Sequence, residues 1–314
     1  MTFSRQSLPL AAAATTVVLW ASAFVGIRAV GHELSPGALA LGRMLVGSLT
    51  LTAIVLVVRR RRRARWGGTA VPLLRGRLLG AIAVWGAAWF GLYNLALNAA
   101  ERHLDAGTAA LLVNVAPVVV AVLAGVLLGE GFPARLLAGM AIAFAGVVLI
   151  ATTTSAGGAD IAGVLLGLLA ALVYAGAAVA QKRLLARADA LTVTWIGAVA
   201  GTVALLPFLP SLLSELATAS AAAAAGFVYL GVFPTAVAFL TWGYALSRTT
   251  AGRLAAATYA IPPVVVLLSW TLLGEIPAPL ALAGGVLCLA GVAVATRPRP
   301  AAATPRAREV SPAS

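Results

Sequence analysis

Apolar residues in this chain do not alternate with polar ones over any short period. They run on for close to twenty residues at a time, broken by brief polar or turn-forming segments. A stretch of that length, coiled as helix, crosses roughly 30 Å of hydrocarbon. Ending each stretch where charges or turn residues appear predicts helices over 8–30, 36–58, 77–98, 105–128, 134–152, 161–181, 190–210, 220–244, 251–273 and 279–296. The connections hold Ser35-Pro36-Gly37, Gly157-Gly158, Pro277 and Pro279, and none is long enough for a separate soluble domain. The expected fold class is an all-α polytopic membrane protein with ten transmembrane helices. Arg5, the apolar residues from Leu8 and the Ala21-Ser22-Ala23 triplet imitate a cleaved signal peptide. The apolar run continues to Val30, however, which suits an uncleaved first span.

Composition agrees with the pattern. Hydrophobic residues make up 61% and charged ones only 10%, where soluble domains carry about 25% charged residues, and the mean hydropathy is +1.01. The net charge of +13 suggests nucleic acid until the positions are considered. With a cytoplasmic N-terminus, every one of the 22 basic residues except Arg28, Arg43 and Arg102 falls on the cytoplasmic side. Glu33, Glu101, Asp105, Asp160, Glu215 and Glu275 fall on the other. This asymmetry predicts a multi-pass membrane protein with both termini cytoplasmic. The run Arg59–Arg63 with Arg65 then anchors the chain against anionic lipid and is not a nucleic-acid patch. The Pro-, Ala- and Arg-rich segment 297–314 is read as a disordered cytoplasmic tail. Cys288, the single cysteine, can form no intramolecular disulfide and is read as a packing residue.

The chain also repeats itself. Residues 116–130, APVVVAVLAGVLLGE, match 261–275, IPPVVVLLSWTLLGE, at an offset of 145. The register continues from Ala106–Gly107 over Ala251–Gly252 to Ala145–Gly146–Val147 over Ala290–Gly291–Val292. Leu and Val coincidences carry little weight in so apolar a chain, but a Pro spaced from a Gly-Glu pair with glycines in step marks a duplication. The expected domains are 8–152 and 161–296. Five spans per copy is an odd number, so the second copy inserts upside down, giving two inverted five-helix repeats. That architecture belongs to secondary carriers, whose substrates bind near the midplane where the repeats meet.

The particular residues resemble the drug/metabolite transporter superfamily, specifically permeases built from two EamA domains. The motifs are Trp20-Ala-Ser-Ala-Phe24, Arg43, Tyr93-Asn-Leu-Ala-Leu97, Pro117 with Gly129-Glu130, their repeat Pro262 with Gly274-Glu275, and Trp242-Gly-Tyr-Ala-Leu246. They cover nearly the whole chain. The resemblance implies a plasma-membrane permease, often an exporter of amino acids or other small metabolites. It also implies a central cavity lined by helices 1, 3, 4, 6, 8 and 9, with helices 5 and 10 peripheral. The sixth helix departs from the motif, with Tyr174-Ala-Gly-Ala-Ala where the first has Trp20-Ala-Ser-Ala-Phe.

Several residues are candidates for contact with a solute. Pro117, Pro262 and Pro263 lack amide hydrogens and free carbonyls one turn earlier, which marks hinges in broken helices. On a helical wheel Gly107, Ala110, Asn114, Pro117 and Ala121 share one face, and Gly252, Ala255, Tyr259, Pro262 and Val266 share the equivalent one. Small residues there serve close helix packing as well. Asn114 and Tyr259, three residues before the prolines, are the leading candidates. Arg43 is too deep for a loop and either binds a substrate carboxylate or serves the structure by snorkelling or bonding carbonyls. Asn94 and Asn98 lie one turn apart on one helix. Trp20, Phe24, Tyr93 and Trp242 can form an aromatic wall for a flat or cationic solute, although Trp and Tyr near helix ends also anchor proteins at the interface, and Tyr174 is a further cavity candidate. Gly129, Glu130, Gly274 and Glu275 are read as structural helix-end fittings. No Asp or Glu lies in the middle of a predicted span, so no buried proton relay is visible.

Nothing in the chain reads as an enzyme. His32 and His103 lie in short outer loops without the further ligands a metal needs, no phosphate-binding Walker loop occurs, and no cofactor is implied. The expected activity is non-ATP transport of a small organic metabolite by alternating access, with export of amino acids or related compounds as the leading case. Two alternatives stand beside it: a proton-coupled efflux carrier for drugs or other small solutes, and a channel-like facilitator. The partners are the lipid bilayer and a small-molecule substrate, with monomer and homodimer both open.

Overall fold

The computed structural model describes residues 7–66, 76–116, 118–119, 134–156, 161–248, 254, 257–258 and 260–296. Among them every regular element is helical. In chain order these are α1 (Ser7–Val30), α2 (Pro36–Trp66), α3 (Arg77–His103), α4 (Ala106–Val113), α5 (Ala134–Ala156), α6 (Ile161–Leu185), α7 (Ala190–Leu216), α8 (Ala221–Arg248), α9 (Ile261–Leu273) and α10 (Pro279–Thr296). Six of these helices, α1, α2, α3, α6, α7 and α8, are long and apolar enough to cross a membrane. Large side chains such as Val84, Phe144, Leu165 and Leu272 point outward, more than 60% exposed, as a hydrocarbon solvent requires and water does not. The expected spans over 105–128 and 251–273 run into residues outside those described.

Local chemistry sets the ends of the elements. Asp105 accepts from the Thr108 amide (2.9 Å) and hydroxyl (2.7 Å) at the start of α4, and Asp189 does the same for Thr192 at the start of α7. Each satisfies an amide that the first turn leaves orphaned. Ser220 caps α8 by accepting from the Ala223 amide. Gly274 ends α9 in the left-handed region (φ 69°). Its amide donates to Trp270 O, and that of Glu275 to Ser269 O. Only glycine takes this turn without strain, so the Gly-Glu pair here is a helix stop. Its counterpart, Gly129 with Glu130, lies outside the described residues.

One boundary is corrected. α3 continues to His103 and does not stop at residue 98, so Glu101 occupies its last turn, 3% exposed, and not an outer loop. A carboxylate is disfavoured at a helix C-terminus, which is why the charge reads as a loop. Arg28 donates to the Glu101 carbonyl (2.9 Å), supplying one of the partners that the last turn lacks.

The duplication reappears as paired contacts. A Cβ on Gly86 of α3 would lie 2.3 Å from Gly197 O of α7, and one on Gly231 of α8 would lie 2.6 Å from Arg43 O of α2. Gly86 and Gly231 are 145 apart, while Arg43 and Gly197 are 154 apart, because the first copy has a longer link between its second and third helices. The next turn repeats the arrangement, with Gly201 against Gly86 O (3.1 Å) and Gly47 against Gly231 O (3.2 Å). α5 and α10 cross in the same way. A Cβ on Gly146 would lie 2.5 Å from Gly284 O and one on Gly291 2.6 Å from Gly139 O, and Cys288 donates to the carbonyl of Ala143, the residue 145 before it. Reciprocal contacts of this kind arise when two copies of one unit pack about a two-fold axis.

Both third helices contain a seven-residue π-helical segment, Ala87–Tyr93 in α3 and Gly231–Val237 in α8. These wide turns are common at functional sites, and the freed carbonyls are taken by side chains. Asn94 donates to Phe90 O (3.0 Å) and Trp89 O (3.3 Å). In α8 the cause is Pro234, which has no amide for the carbonyl of Leu230, so the Thr235 hydroxyl donates to that carbonyl at 2.8 Å.

Candidate functional site

The π segment of α3 faces a cavity of about 40 Å³, and that of α8 meets its edge through Thr235, which holds Arg43. Its walls are Trp20, Ala23 and Phe24 of α1, Arg43 of α2, and Trp89, Tyr93, Asn94 and Leu97 of α3. Val113 and Asn114 at the end of α4, Tyr174 of α6, Phe239 of α8, Thr258 and Ile261 complete it. The volume admits a few water molecules and is far below the 300 Å³ at which metabolite pockets begin.

Aromatic rings form most of the wall. Trp20 meets Tyr174 edge-on (centroids 6.2 Å apart) and Phe239 (5.3 Å), while Trp89 meets both at 5.5 and 5.3 Å. Tyr93 lies 6.2 Å from Tyr174. Edge-to-face packing at these separations holds rings more firmly than burial alone. Trp242 stands behind Trp20 (4.9 Å) and donates its indole N–H to Gln181 Oε1 at 2.9 Å. It braces the wall and does not line the cavity.

Arg43 is 4% exposed and has a thin coordination shell. Its Nη2 and Nε donate to Thr235 Oγ1 at 3.2 and 3.4 Å, while Nη1 has no hydrogen-bond partner. Thr235 can accept these bonds because its own proton is committed to Leu230 O. The buried guanidinium thus keeps one donor idle at the edge of the cavity, a bond that an anionic group would complete.

Asn114 faces the cavity where α4 breaks. Its amide donates to Ala110 O (3.0 Å), and the chain turns at Asn114–Val115 with a Val115 N to Leu112 O bond of 3.1 Å. The second copy turns at Ala260, so Pro262 and Pro263 occupy the first turn of α9, where a missing amide leaves no bond unmade. The break precedes these prolines. Pro117 and Tyr259 lie outside the described residues. Asn98 is buried one turn above Asn94, donates to Pro36 O (3.1 Å), and is not in the cavity wall.

One end of the bundle, rich in acids, is tied shut. Arg28 Nε pairs with Glu275 Oε1 at 2.9 Å. Glu33 accepts from the amide (2.7 Å) and hydroxyl (2.8 Å) of Ser220, which hold its carboxylate below the usual range. The Ser35 amide donates to Glu215 at 2.7 Å, and Arg102 donates to Gly31 O. Sequence reasoning missed Trp89, Thr235, Phe239, Thr258 and the burial of Glu101. Pro234-Thr235, at the place in the second copy where α3 holds Trp89-Phe90, was the signal available for Thr235.

Comparison with known proteins follows the same lines. The EamA-like transporter family matches residues 8–152 and again 161–297. A probable terminal-alkyne amino-acid exporter of Streptantibioticus cattleyicolor is 40% identical over 289 residues, 90% of this chain and 91% of that protein. An uncharacterized transporter of Bacillus subtilis is 34% identical over 274 residues, 87% of this chain and 86% of that protein. A probable amino-acid metabolite efflux pump of Salmonella typhimurium is 28% identical over 286 residues, 88% and 90% of the two chains. One solved crystal structure superposes with a TM-score of 0.61 at 21% identity, covering 93% of this chain and 98% of the other, a likeness of fold. With both copies matched, this chain belongs to the EamA-like transporter family and is a membrane transporter, not an enzyme.

Proposed function

We propose that the protein exports small amino acids or close relatives from the cytoplasm, by alternating access between two inverted five-helix repeats that together make ten spans. The observation that carries this reading is the idle Nη1 of Arg43 beside a cavity of aromatic rings and amide side chains. A carboxylate suits the guanidinium, and a small apolar or aromatic side chain suits the rings. The names of the Streptantibioticus and Salmonella relatives, an amino-acid exporter and an amino-acid metabolite efflux pump, support the same substrate class. The reciprocal glycine contacts support the inverted repeat, and the loop charges support cytoplasmic termini in the plasma membrane. Because the cavity holds only water-sized guests, the halves must rock apart to admit a solute, and the ties at the acidic end are the contacts that give way.

Counterflow in proteoliposomes tests the proposal. Vesicles loaded with an unlabelled amino acid should accumulate the labelled one transiently and saturably, for at least one member of a panel of apolar and aromatic L-amino acids. Arg43→Gln should weaken that solute's apparent affinity at least about tenfold. Flux no greater than in protein-free vesicles across the whole panel, from folded protein, overturns it. Flux that rises linearly without counterflow identifies a facilitator.

A further inference from the structure

Glu101 is a buried carboxylate with no assigned work. It is 3% exposed and neither oxygen has a hydrogen-bond partner. Its neighbours explain why. Arg28 reaches it but donates Nη1 to the Glu101 backbone carbonyl and Nε to Glu275. Asn98, one turn earlier on α3, gives its amide protons to Pro36 O and leaves Oδ1 without a partner. On α2, Arg43 has its idle Nη1. Helical side chains lean towards the N-terminus of their own helix. α2 starts at the acidic end and α3 finishes there, so Arg43 leans towards that end and Glu101 leans down from it.

Taken together, the unmade bonds are one cationic donor on one side and three acceptors, two of them carboxylate oxygens, on the other. Buried polar groups are rarely left in this state, and leaving several unpaired is expensive. A guest that supplies a carboxylate at one end and an ammonium at the other completes all of them. We infer that Glu101 and Asn98 form the ammonium half of an α-amino-acid headgroup site whose carboxylate half is Arg43, so that the transported class is free amino acids and not N-acylated or des-amino acids. This rests on the proposed amino-acid export. It adds a residue that recognises the amine, on α3 one turn beyond the cavity residue Leu97.

The test is competition in the counterflow assay, with each L-amino acid of the panel set against its N-acetyl derivative and its des-amino carboxylic acid. In the wild type the amino acid should compete at least about tenfold better than either analogue, since a site built to bond a group rejects the ligand lacking it. Glu101→Gln, which keeps the shape, should weaken the amino acid at least about tenfold and leave the des-amino acid within about twofold. Wild-type protein that carries carboxylates but treats all three alike overturns this inference and spares the export reading. So does a Glu101→Gln variant with undiminished selectivity. A panel in which no carboxylate competes overturns the export reading itself. The wild-type comparison decides even if the variant does not fold.

Discussion

Arg43 owes its position to a proline on another helix. Pro234 removes the amide that would have met Leu230 O, the Thr235 hydroxyl turns to that carbonyl, and its lone pairs are left for the guanidinium. Each link is a single polar group answering to its neighbour, and the result is a cation aimed at the cavity with a donor to spare. Glu33 offers a test at this scale that is independent of transport. The Ser220 amide and hydroxyl lower its pKa, so the contact stabilises the fold above the ordinary glutamate range and is lost as pH falls through the lowered value. The melting temperature of Glu33→Gln should lie below that of the wild type at pH 7 and meet it in acid below the depressed range. A constant difference across that window would show that the ionised carboxylate is not what matters. Much at this scale was legible beforehand. Helical register pointed to Asn114 and depth to Arg43, while Trp20, Phe24, Tyr93, Asn94 and Tyr174 stood in the family motifs or their counterparts, and the structure sets all seven around one cavity. Asn98 and Trp242 needed knowledge of their partners, Pro36 O and Gln181, which lie far away in sequence. Glu101 was hidden because only tertiary packing can bury an acid at a helix end.

Among the elements, α3 and α8 are the ones that differ from plain membrane helices. Each carries a π segment at the level of the cavity, and each is pressed by a glycine against the second helix of the other copy. Hydropathy cannot show either feature, since a π segment and an α-helix have the same composition. The glycines read in step between the copies, such as Gly146 and Gly291, serve the α5–α10 crossing, whereas Gly86 and Gly231, also 145 apart, were not singled out. At Gly86 a methyl would enter the Gly197 carbonyl, so Gly86→Ala must separate two backbones. Gly176 on the outer face of α6 has nothing within 4 Å of an added Cβ. Gly86→Ala should therefore destabilise by about 1–3 kcal/mol, and Gly176→Ala should be neutral or stabilise by roughly 0.5–1 kcal/mol. Unfolding in detergent followed by tryptophan fluorescence measures both. Equal responses would mean that the α3–α7 crossing is not as tight as its geometry.

For the whole molecule, the legible part was the duplication and the membrane character, because both are written as long-range periodicity of composition. The illegible part was the state of the molecule. One end is tied by Arg28–Glu275, Glu33–Ser220 and Ser35–Glu215, and the cavity is contracted around its rings. A carrier passes through such a state between openings to either side, with affinity for solute linking the two. The most direct measurement is the reactivity of Ala23→Cys, a cavity position, towards a membrane-impermeant thiol reagent applied from each face of the membrane. Cys288 is fully buried and gives little background. On the proposed topology Thr218→Cys and Ala186→Cys, both at exposed loop positions, mark the outer and inner faces. Alternating access predicts that Ala23→Cys reacts from either face, that a transported amino acid slows both reactions, and that each marker reacts from its own face alone. Reaction of Ala23→Cys from one face only, with and without solute, would contradict it.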